Sequence, residues 1–417
     1  MVVREGRYEV MVKRVFLCIM LSLSVFVLDA QTSDSIMANH LRNRGLTISD
    51  GNAVRLLKNG HDKFEDMFAA IKEAKSFIHL EYFNFRNDSI AGLLFNLLAQ
   101  KAAEGVEVRA LYDAFGNASN NKPIKSAMHD SIRSLGIDLV KFSPLTFPWV
   151  NRIIPRDHRK IVVIDGKVAY TGGMNVADYY IDGIPEIGDW HDMHMRVEGK
   201  AVNDLNEIFC KIWYKSTGEF LMGEKYFPEH DAGGRGKRVC IVDRDPKYTP
   251  DAIRDLFSEM LNTAQHKVLI ISPYFIPTHR VRKALKQAVD RGIDVQILLS
   301  AKGDIPLTPE VTHYVGNNLA KRGAKVYLYH GGFHHTKIMM VDDLYCTVGS
   351  SNMDSRSLRC DYEVNSVIFS KEVTAELTEL FNEQLKSSTL MEKGYWKTKP
   401  LGRRFQGWFG NLLTPVM

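Results

Sequence analysis

The chain is poor in cysteine, and beyond its first thirty residues it has no long apolar run. Its five cysteines are scattered over 417 residues and form no C-x-x-C pair. This spacing argues against a zinc site or a dithiol redox site. Free structural thiols are therefore expected, although an exported chain could form two disulfides. The cysteines are Cys18, Cys210, Cys240, Cys346 and Cys360.

An excess of charge of one sign is also missing. Lysine and arginine number 54 against 49 acidic residues, a net charge of +5. A long cationic groove for nucleic acid would need a larger basic excess, so no nucleic-acid partner is expected. A small positive charge suits an anionic substrate or an anionic lipid surface. The 45% of hydrophobic and 25% of charged residues are ordinary for a folded globular protein and exclude wholesale disorder and a polytopic membrane protein.

The amino terminus carries a basic segment followed by a short apolar run. The run spans residues 15–28, which is short of the ~20 residues that cross a bilayer. Residues 1–30 are therefore predicted to be a secretory signal ending at Ala30, with an uncleaved anchor and a buried helix as alternatives. Because the positive flank stays in the cytoplasm, the signal and the anchor both place the body outside it. The basic residues are Arg4, Arg7, Lys13 and Arg14.

The body of the chain contains one motif twice. Both copies read H-x-K-x4-D-x6-G-x2-N, and every position of the second copy follows its counterpart in the first by the same interval. Two copies with the same downstream glycine and asparagine indicate an internal duplication. The first copy is His158, Lys160, Asp165, Gly172 and Asn175, and the second is His335, Lys337, Asp342, Gly349 and Asn352.

The flanks of the two motifs repeat as well. Apolar strands are predicted at 77–83 and 268–275, and again at 106–111 and 295–299 after turns at Gly105 and Gly292. An amphipathic helix follows each motif, near 205–213 and, with Ser370 as its N-cap, near 373–381. Strands that alternate with helices predict an α/β fold. We place a first lobe at 48–230, a Gly-rich linker at 231–238 and a second lobe at 239–417.

Residue types in the motif indicate phosphoryl chemistry. Residues i and i+2 of an extended segment share a face, so each copy presents an imidazole beside an ammonium group. Two copies facing each other form one site with two histidines, two lysines and two asparagines. Lysine and amide donors can hold phosphate oxygens without a metal. One histidine can attack phosphorus while the other moves the proton of the alcohol. No metal or cofactor is expected.

The doubled H-x-K-x4-D motif resembles that of the phospholipase D superfamily. The resemblance implies two α/β/α sandwich lobes with one active site between them. It also implies metal-independent phosphodiester exchange through a phosphohistidine, with His158 as nucleophile and His335 as general acid and base. In this superfamily a later acidic residue supports each histidine. Glu363, which follows His335, and Asp192, which follows His158, fit that role. The motif aspartates, Asp165 and Asp342, are usually structural there.

Several short sequence segments resemble those of bacterial cardiolipin synthases, which transfer a phosphatidyl group between phosphatidylglycerol molecules and release glycerol. These segments are 111–116, 156–160, 272–277, 302–304 and 411–417. A hydrolytic phospholipase D and, less favoured, a nuclease of the same superfamily are the alternatives. Two membrane helices are common at the start of cardiolipin synthases, whereas this chain has one short apolar run.

Two further segments suggest contact with a membrane surface. Aromatic and aliphatic residues at 144–155 could enter lipid or cover the core, and the basic, aromatic tail around Arg403 and Trp408 suits an interface or a packed helix. Asp113 and Asp304 follow corresponding strands and could line the site or cap loops. We expect a catalytic domain on the periplasmic or outer side of a bacterial inner membrane.

Overall fold

The computed structural model describes residues 31–144, 154–230 and 236–412. The expected signal at 1–30, most of the expected linker and most of the segment 144–155 lie outside these ranges. Within them, strands alternate with helices, so the expected α/β fold is confirmed.

The described part of the first half contains eight strands and seven helices. The strands are β1 (Ser49–Leu57), β2 (Phe77–Tyr82), β3 (Glu107–Asp113), β4 (Asp138–Phe142), β5 (Ile161–Ile164), β6 (Val168–Gly172), β7 (Trp190–His191) and β8 (His194–Glu198). The helices are α1 (Ser33–Asn43), α2 (Gly60–Lys72), α3 (Ser89–Ala103), α4 (Ala114–Ser119), α5 (Ser126–Ser134), α6 (Tyr179–Asp182) and α7 (Ala201–Thr217).

The second half repeats this order with small additions. Its strands are β9 (Lys237–Arg244), β10 (Lys267–Ile271), β11 (Phe275–Ile276), β12 (Asp294–Ser300), β13 (Lys325–Tyr329), β14 (Phe333–His334), β15 (Ile338–Val341), β16 (Tyr345–Gly349), β17 (Met353–Asp354), β18 (Glu363–Phe369) and β19 (Ser388–Leu390). Its helices are α8 (Ala252–Thr263), α9 (His279–Asp290), α10 (Thr308–Ala320), α11 (Ser355–Arg359), α12 (Lys371–Leu385), α13 (Tyr395–Thr398) and α14 (Leu401–Leu412).

A 15-stranded sheet runs through both halves. The first half has the order β4-β3-β2-β5-β6-β8-β1, and the second has the matching order β13-β12-β10-β15-β16-β18-β9 with β19 at its edge. Antiparallel pairing of β1 with β9, which sets Asn52 opposite Lys237, joins the halves. Lys237 and Arg238, placed in the linker from the sequence, therefore belong to β9.

The central strands are buried because helices cover both faces of the sheet. Every residue of β5 and β15 is buried. On one face, a shared apolar core contains residues of both halves, including Leu205 of α7 and Leu377 of α12. The predicted helix spacing is confirmed there, and Ser370 caps α12 by accepting a hydrogen bond from the amide of Val373. The other face has two separate cores, one formed mainly by each half: Phe333 joins that of the first half, and Met37, Ala38 and Leu41 of α1 join that of the second.

Two local features depart from or refine the sequence predictions. The predicted strand 268–275 is interrupted between β10 and β11 at Pro273, because proline has no amide hydrogen to donate to the sheet. The turns at Gly105 and Gly292 have φ of 92° and 84°, which favours glycine.

The described cysteines are free thiols, and three of them are buried: Cys210, Cys240 and Cys346. Among residues 31–144, 154–230 and 236–412, no helix combines the length and apolarity needed to cross a bilayer.

Candidate active site

Backbone pairing between the halves places the two motif histidines. The segment before His158 runs parallel to the segment before Glu363, where the His158 amide donates to the Tyr362 carbonyl at 3.0 Å. The equivalent pair is β7 with β14, and the His335 amide donates to the His191 carbonyl at 2.7 Å. Each histidine is therefore fixed beside an acidic segment of the opposite half.

This pairing decides which acid contacts which histidine. His158 Nδ1 lies 3.0 Å from Glu363 Oε1, and His335 Nδ1 lies 2.7 Å from Asp192 Oδ2. Each acid supports a histidine of the opposite half, whereas its place in the sequence associates it with the motif that precedes it. A carboxylate at Nδ1 holds the hydrogen on that atom and leaves the Nε2 lone pair free to act as base or nucleophile.

Equivalent positions in the two halves accommodate the two acids in different ways, with a serine in one and a glycine in the other. Ser350 Oγ donates to Glu363 Oε2 at 2.5 Å. At the equivalent position the first half has Gly173, where an added Cβ would lie 2.1 Å from Asp192 Oδ1. The amide of Met193 donates to that same oxygen at 2.7 Å. The two halves thus hold their carboxylates by different donors.

Both motif lysines are buried against the histidines of their own copies. Lys160 Nζ donates to the His158 carbonyl at 2.5 Å, and Lys337 Nζ donates to the His335 carbonyl. Burial lowers the pKa of Lys160 to about 7 and the pKa of Lys337 to about 8, and the charges of Glu363 and Asp192 oppose the shift. The two ammonium groups therefore begin to lose their protons near neutral pH.

The histidines differ in how readily they take a proton. Burial, then Lys160 and Lys337, lowers the pKa of His158 well below its ordinary value. Burial and Lys337 also lower the pKa of His335, but Asp192 opposes this through both its charge and its hydrogen bond. Lys337 Nζ lies 2.9 Å from His335 Nδ1. Because Asp192 is nearer and accepts the single Nδ1 hydrogen, the lysine acts there as a charge.

Both imidazoles and both motif asparagines line one cavity of about 600 Å³. Among the described residues, the amide oxygens of Asn175 and Asn352 have no hydrogen-bond partner, while the Asn175 amide nitrogen lies 3.5 Å from the Tyr180 hydroxyl. Aromatic rings support the histidines, with Phe83 5.1 Å from His158 between ring centroids. The other lining residues are Asn84, Phe115, Ser119, Asn120, Tyr179, Trp190, Tyr274, Ile276, Asp304, Ile305, Thr308, Asp354, Arg356, Ser357 and Asp361.

The motif aspartates lie at the far end of β5 and β15, outside the cavity lining. Asp165 accepts from the amides of residues 75, 76 and 77 at 2.8, 2.8 and 3.0 Å. Asp342 accepts from the amides of residues 265, 266 and 267, each at 2.8 Å. Both aspartates have a left-handed backbone, with φ of 53° and 52°. Each ties the end of its motif strand to the start of the neighbouring strand, which is a structural contact and places neither group near the reacting atoms.

Several cavity residues did not emerge from the sequence reasoning. Tyr179 and Arg356 occupy equivalent positions, four residues after the motif asparagines, and both line the cavity. The constant interval between the two motif copies was the signal that could have paired them. Arg356 Nε donates to Asp361 at 2.6 Å, while its buried Nη2 has no partner among the described residues. This guanidinium can donate to a ligand oxygen.

The two loop aspartates have different positions. Asp113 is buried, caps α4 through the amides of Phe115 and Gly116, and accepts from the Asp157 amide. Asp304 instead lines the cavity and accepts from the Tyr274 hydroxyl at 2.7 Å. The capping interpretation therefore holds for Asp113 and the rim interpretation for Asp304. In the part of the chain that the structure describes, no three His, Cys, Asp or Glu side chains are grouped to hold a metal ion.

Comparison of the fold with solved structures identifies its type. The phosphatidylserine synthase of Haemophilus influenzae superposes with a TM-score of 0.70 at 15% identity, covering 91% of this chain and all of that one. A polyphosphate kinase of Porphyromonas gingivalis superposes with a TM-score of 0.52 at 13% identity, covering 80% of this chain and 50% of that one. At these identities the likeness concerns the fold alone.

Comparison of the sequence with known proteins identifies the family within this fold. A probable cardiolipin synthase of Bacillus subtilis is 35% identical, over 92% of this chain and 75% of its own length. Cardiolipin synthase 1 of Staphylococcus epidermidis is 32% identical, over 89% of this chain and 75% of its own length. The family model described as "Cardiolipin synthase, PLD-like domain" matches residues 67–213 and 257–385. The chain therefore belongs to the cardiolipin synthase family of phospholipase D-like proteins.

Proposed function

We propose that the protein transfers a phosphatidyl group from one phosphatidylglycerol molecule to another, giving cardiolipin and glycerol. The observation that carries the proposal is the pair of histidine–carboxylate contacts, from His158 to Glu363 and from His335 to Asp192, on one cavity. Two imidazoles, each with Nε2 free, supply both a nucleophile and a proton carrier. Cardiolipin synthase relatives over most of the chain support the choice of reaction.

In the first step His158 attacks the phosphorus of the donor lipid. Its Nε2 lone pair forms the P–N bond, and the P–O bond to glycerol breaks. His335, protonated on Nε2, gives its proton to the departing glycerol oxygen. We assign the roles this way because Asp192 favours the protonated form of His335 while the two lysines keep His158 neutral. The product is a phosphatidyl-histidine and free glycerol.

In the second step an alcohol enters and attacks phosphorus, whereas in the first step an alcohol departed. The terminal hydroxyl of a second phosphatidylglycerol enters, His335 takes its proton, and its oxygen attacks phosphorus as the P–N bond breaks. This restores neutral His158 and protonated His335 and releases cardiolipin. The two steps are the same reaction run in opposite directions, so microscopic reversibility requires the same residue to donate the proton in one step and accept it in the other.

Lysine, asparagine and arginine donors hold the charge that develops on phosphate. Lys160 and Lys337 are the buried cations, and Asn175 and Asn352 present amide groups to the cavity. Arg356 adds the Nη2 that has no partner among the described residues. In a buried site such donors stabilise the transition state more strongly than in water. No metal is needed for this step, because fixed cations neutralise the phosphate oxygens.

The competing reaction is hydrolysis, in which water replaces the lipid alcohol in the second step. The same residues serve both reactions, so the choice rests on the relatives, which are named as synthases. A membrane surface is the proposed partner, since the substrates are lipids.

A lipid product analysis tests the proposal. The purified protein is incubated with phosphatidylglycerol, with and without EDTA, and the products are read by mass spectrometry. Cardiolipin and an equal amount of glycerol are expected in both samples. Phosphatidic acid as the main product would instead identify a hydrolase, and loss of activity in EDTA that one divalent ion restores would show a metal requirement.

A further inference from the structure

The carboxyl-terminal helix α14 lies on the protein with its apolar face turned outward. Its two buried residues are Gly407 and Gly410. Its large apolar side chains are exposed: Leu401 77%, Phe405 61%, Trp408 47%, Phe409 46% and Leu412 55%. At about 100° per residue these five positions form one stripe, and the two glycines lie about opposite to it. A surface helix of a globular protein normally packs by its apolar face, so this arrangement is reversed.

Close packing and polar contacts at both ends fix this orientation. An added Cβ at Gly407 would lie 2.6 Å from the Trp396 ring, and one at Gly410 would lie 2.3 Å from Val311. Near the start of the helix Arg403 pairs with Glu310 at 3.6 Å. Near its end Arg282 donates to Asn411 at 3.1 Å. Rotating α14 to bury its aromatic stripe would break these contacts and drive large side chains into the space the glycines leave.

The surroundings of the stripe indicate an anionic lipid surface as its occupant. Residues 392–404 contain five basic residues and one acidic residue, and Lys393 and Lys397 are exposed. Aromatic side chains on one face with basic residues beside them are typical of helices that lie in a membrane interface. Two copies of the chain that met through this segment would instead bring like charges together.

Helix α10 connects the packing site of α14 to the lining of the active-site cavity. Helix α10 supplies Glu310 and Val311 to the α14 contact, while its first residue, Thr308, lines the cavity. The loop just before α10 exposes Ile305 and Leu307 by 49% and 51%, and Ile305 is also a cavity residue. A lipid surface that contacts both the stripe and these two loop side chains would lie at the opening through which a lipid headgroup must enter.

We propose that α14 docks the enzyme on anionic lipid through Leu401, Phe405, Trp408, Phe409 and Leu412, so that the cavity mouth faces the lipid headgroups. The proposal deepens the proposed function, because it concerns how the same site reaches a lipid substrate. Docking brings in the substrate and does not alter the reacting groups. The stripe should therefore matter for substrate in a bilayer and not for substrate dispersed in water.

The first test compares two physical forms of phosphatidylglycerol with the full chain. Phe405→Gln, Trp408→Gln and Phe409→Gln are combined in one variant, and Phe220→Gln with Met222→Gln, which are also exposed apolar residues, form the control. We expect the triple variant to lose at least about fivefold in kcat/KM on phosphatidylglycerol vesicles. Its activity on dispersed short-chain phosphatidylglycerol should stay within about twofold of the unmodified protein, and the control should keep both activities. Equal loss on both forms, or no loss on vesicles, would overturn the proposal.

The second test does not depend on catalysis. Brominated phosphatidylglycerol vesicles should quench part of the tryptophan fluorescence, and Trp408→Phe should remove that part even if residues 1–30 also bind lipid. Vesicles of brominated phosphatidylcholine should quench less. Undiminished quenching in Trp408→Phe, or self-association through the stripe without lipid, would count against docking. If the unmodified protein made no cardiolipin from either form yet Trp408 was quenched, the proposed function would fail while the docking surface stood.

Discussion

His158 Nδ1 lies 3.0 Å from Glu363 Oε1, although 205 residues separate them in the chain. The reciprocal contact joins His335 to Asp192 at 2.7 Å across 143 residues. Each half of the duplicated chain thus supplies the acid that orients the histidine of the other half. A half separated from its partner would keep its histidine but lose the carboxylate beside it. This is a physical reason for the two halves to form one site.

The crossed contacts predict which step each acid affects. Asp192→Asn should impair His335 and so slow proton transfer to glycerol, lowering turnover of phosphatidylglycerol about 100-fold or more. A phosphatidyl ester of p-nitrophenol, whose leaving group needs no proton, should still phosphorylate the variant enzyme. Glu363→Gln should impair His158 and slow phosphorylation by both lipids. Stopped-flow release of nitrophenol distinguishes the two variants, and the opposite pattern would mean that each acid serves the histidine of its own half.

A phosphoenzyme should form on His158. His335→Ala lacks the proton carrier for the second step, so with the nitrophenyl lipid it should accumulate phosphatidyl-histidine that peptide mapping places at residue 158. On phosphatidylglycerol each single alanine variant should lose nearly all turnover, and the double variant should be little worse because the two groups act as a unit. Modification at residue 335 in His158→Ala would reverse the assignment. About half the activity in each single variant would indicate two independent sites.

The buried lysines predict a fall in activity on the alkaline side. A lysine is cationic below its pKa and neutral above it, and burial lowers the pKa of Lys160 to about 7 and of Lys337 to about 8. As pH rises through this range, kcat/KM should fall because the free enzyme loses the charges that attract phosphate. A bound anion favours protonated lysine, so the same limb in kcat should lie at higher pH.

Lys160→Arg tests the origin of that limb. Its guanidinium stays charged throughout, so the limb in kcat/KM should move toward the pKa of Lys337, whatever the change in absolute activity. The exposed Lys167→Arg is the matched control and should leave the profile unchanged. If kcat/KM of the unmodified protein stayed constant from neutral pH to well above 8, the charges of these lysines would not be needed to bind phosphate.

The motif aspartates should act on stability. Asp165→Ala removes a carboxylate that accepts three backbone amides and should lower the free energy of unfolding by about 2–3 kcal/mol. Asp165→Asn tolerates the left-handed backbone and keeps one acceptor oxygen, so it should lose less. Asp343 also has a left-handed backbone, with φ of 56°, so Asp343→Asn is the control: it tolerates that backbone, removes the surface ion pair with Lys267, and should cost about 0.5 kcal/mol or less. Thermal unfolding and kcat measured well below the transition check this, and a large loss of kcat in folded Asp165→Ala would assign the group to the chemistry.

The sequence predicted the central histidines and asparagines because duplication repeats residue types at one spacing. The acids could be listed but not paired, since their partners depend on the two-residue strands β7 and β14 and on the single bridge between Asp157 and Tyr362, which no periodic pattern indicates. Arg356 was missed because its counterpart is Tyr179, and a duplication signal fades where the two halves differ. Those differing positions are also where one cavity wall becomes unlike the other.

The last prediction concerns the side of the membrane on which the protein works. We propose export, because basic residues precede the apolar run at 15–28 and positive flanks stay in the cytoplasm. An oxidising compartment would be tolerated, since burial raises the pKa of Cys210, Cys240 and Cys346 to about 12 and keeps these thiols protonated.

Alkaline phosphatase, which is active only after export, can be fused to the carboxyl end to test this. The fusion should be active, and a matched fusion without residues 1–30 should be inactive. A β-galactosidase fusion at the same point, active only in the cytoplasm, should give the reverse result. A full-length phosphatase fusion that is present but inactive, beside an active galactosidase fusion, would place the catalytic domain in the cytoplasm. The basic surface around α14 would then face the lipids of the inner leaflet, which leaves the docking inference intact because the contact depends on lipid charge and not on the side of the bilayer.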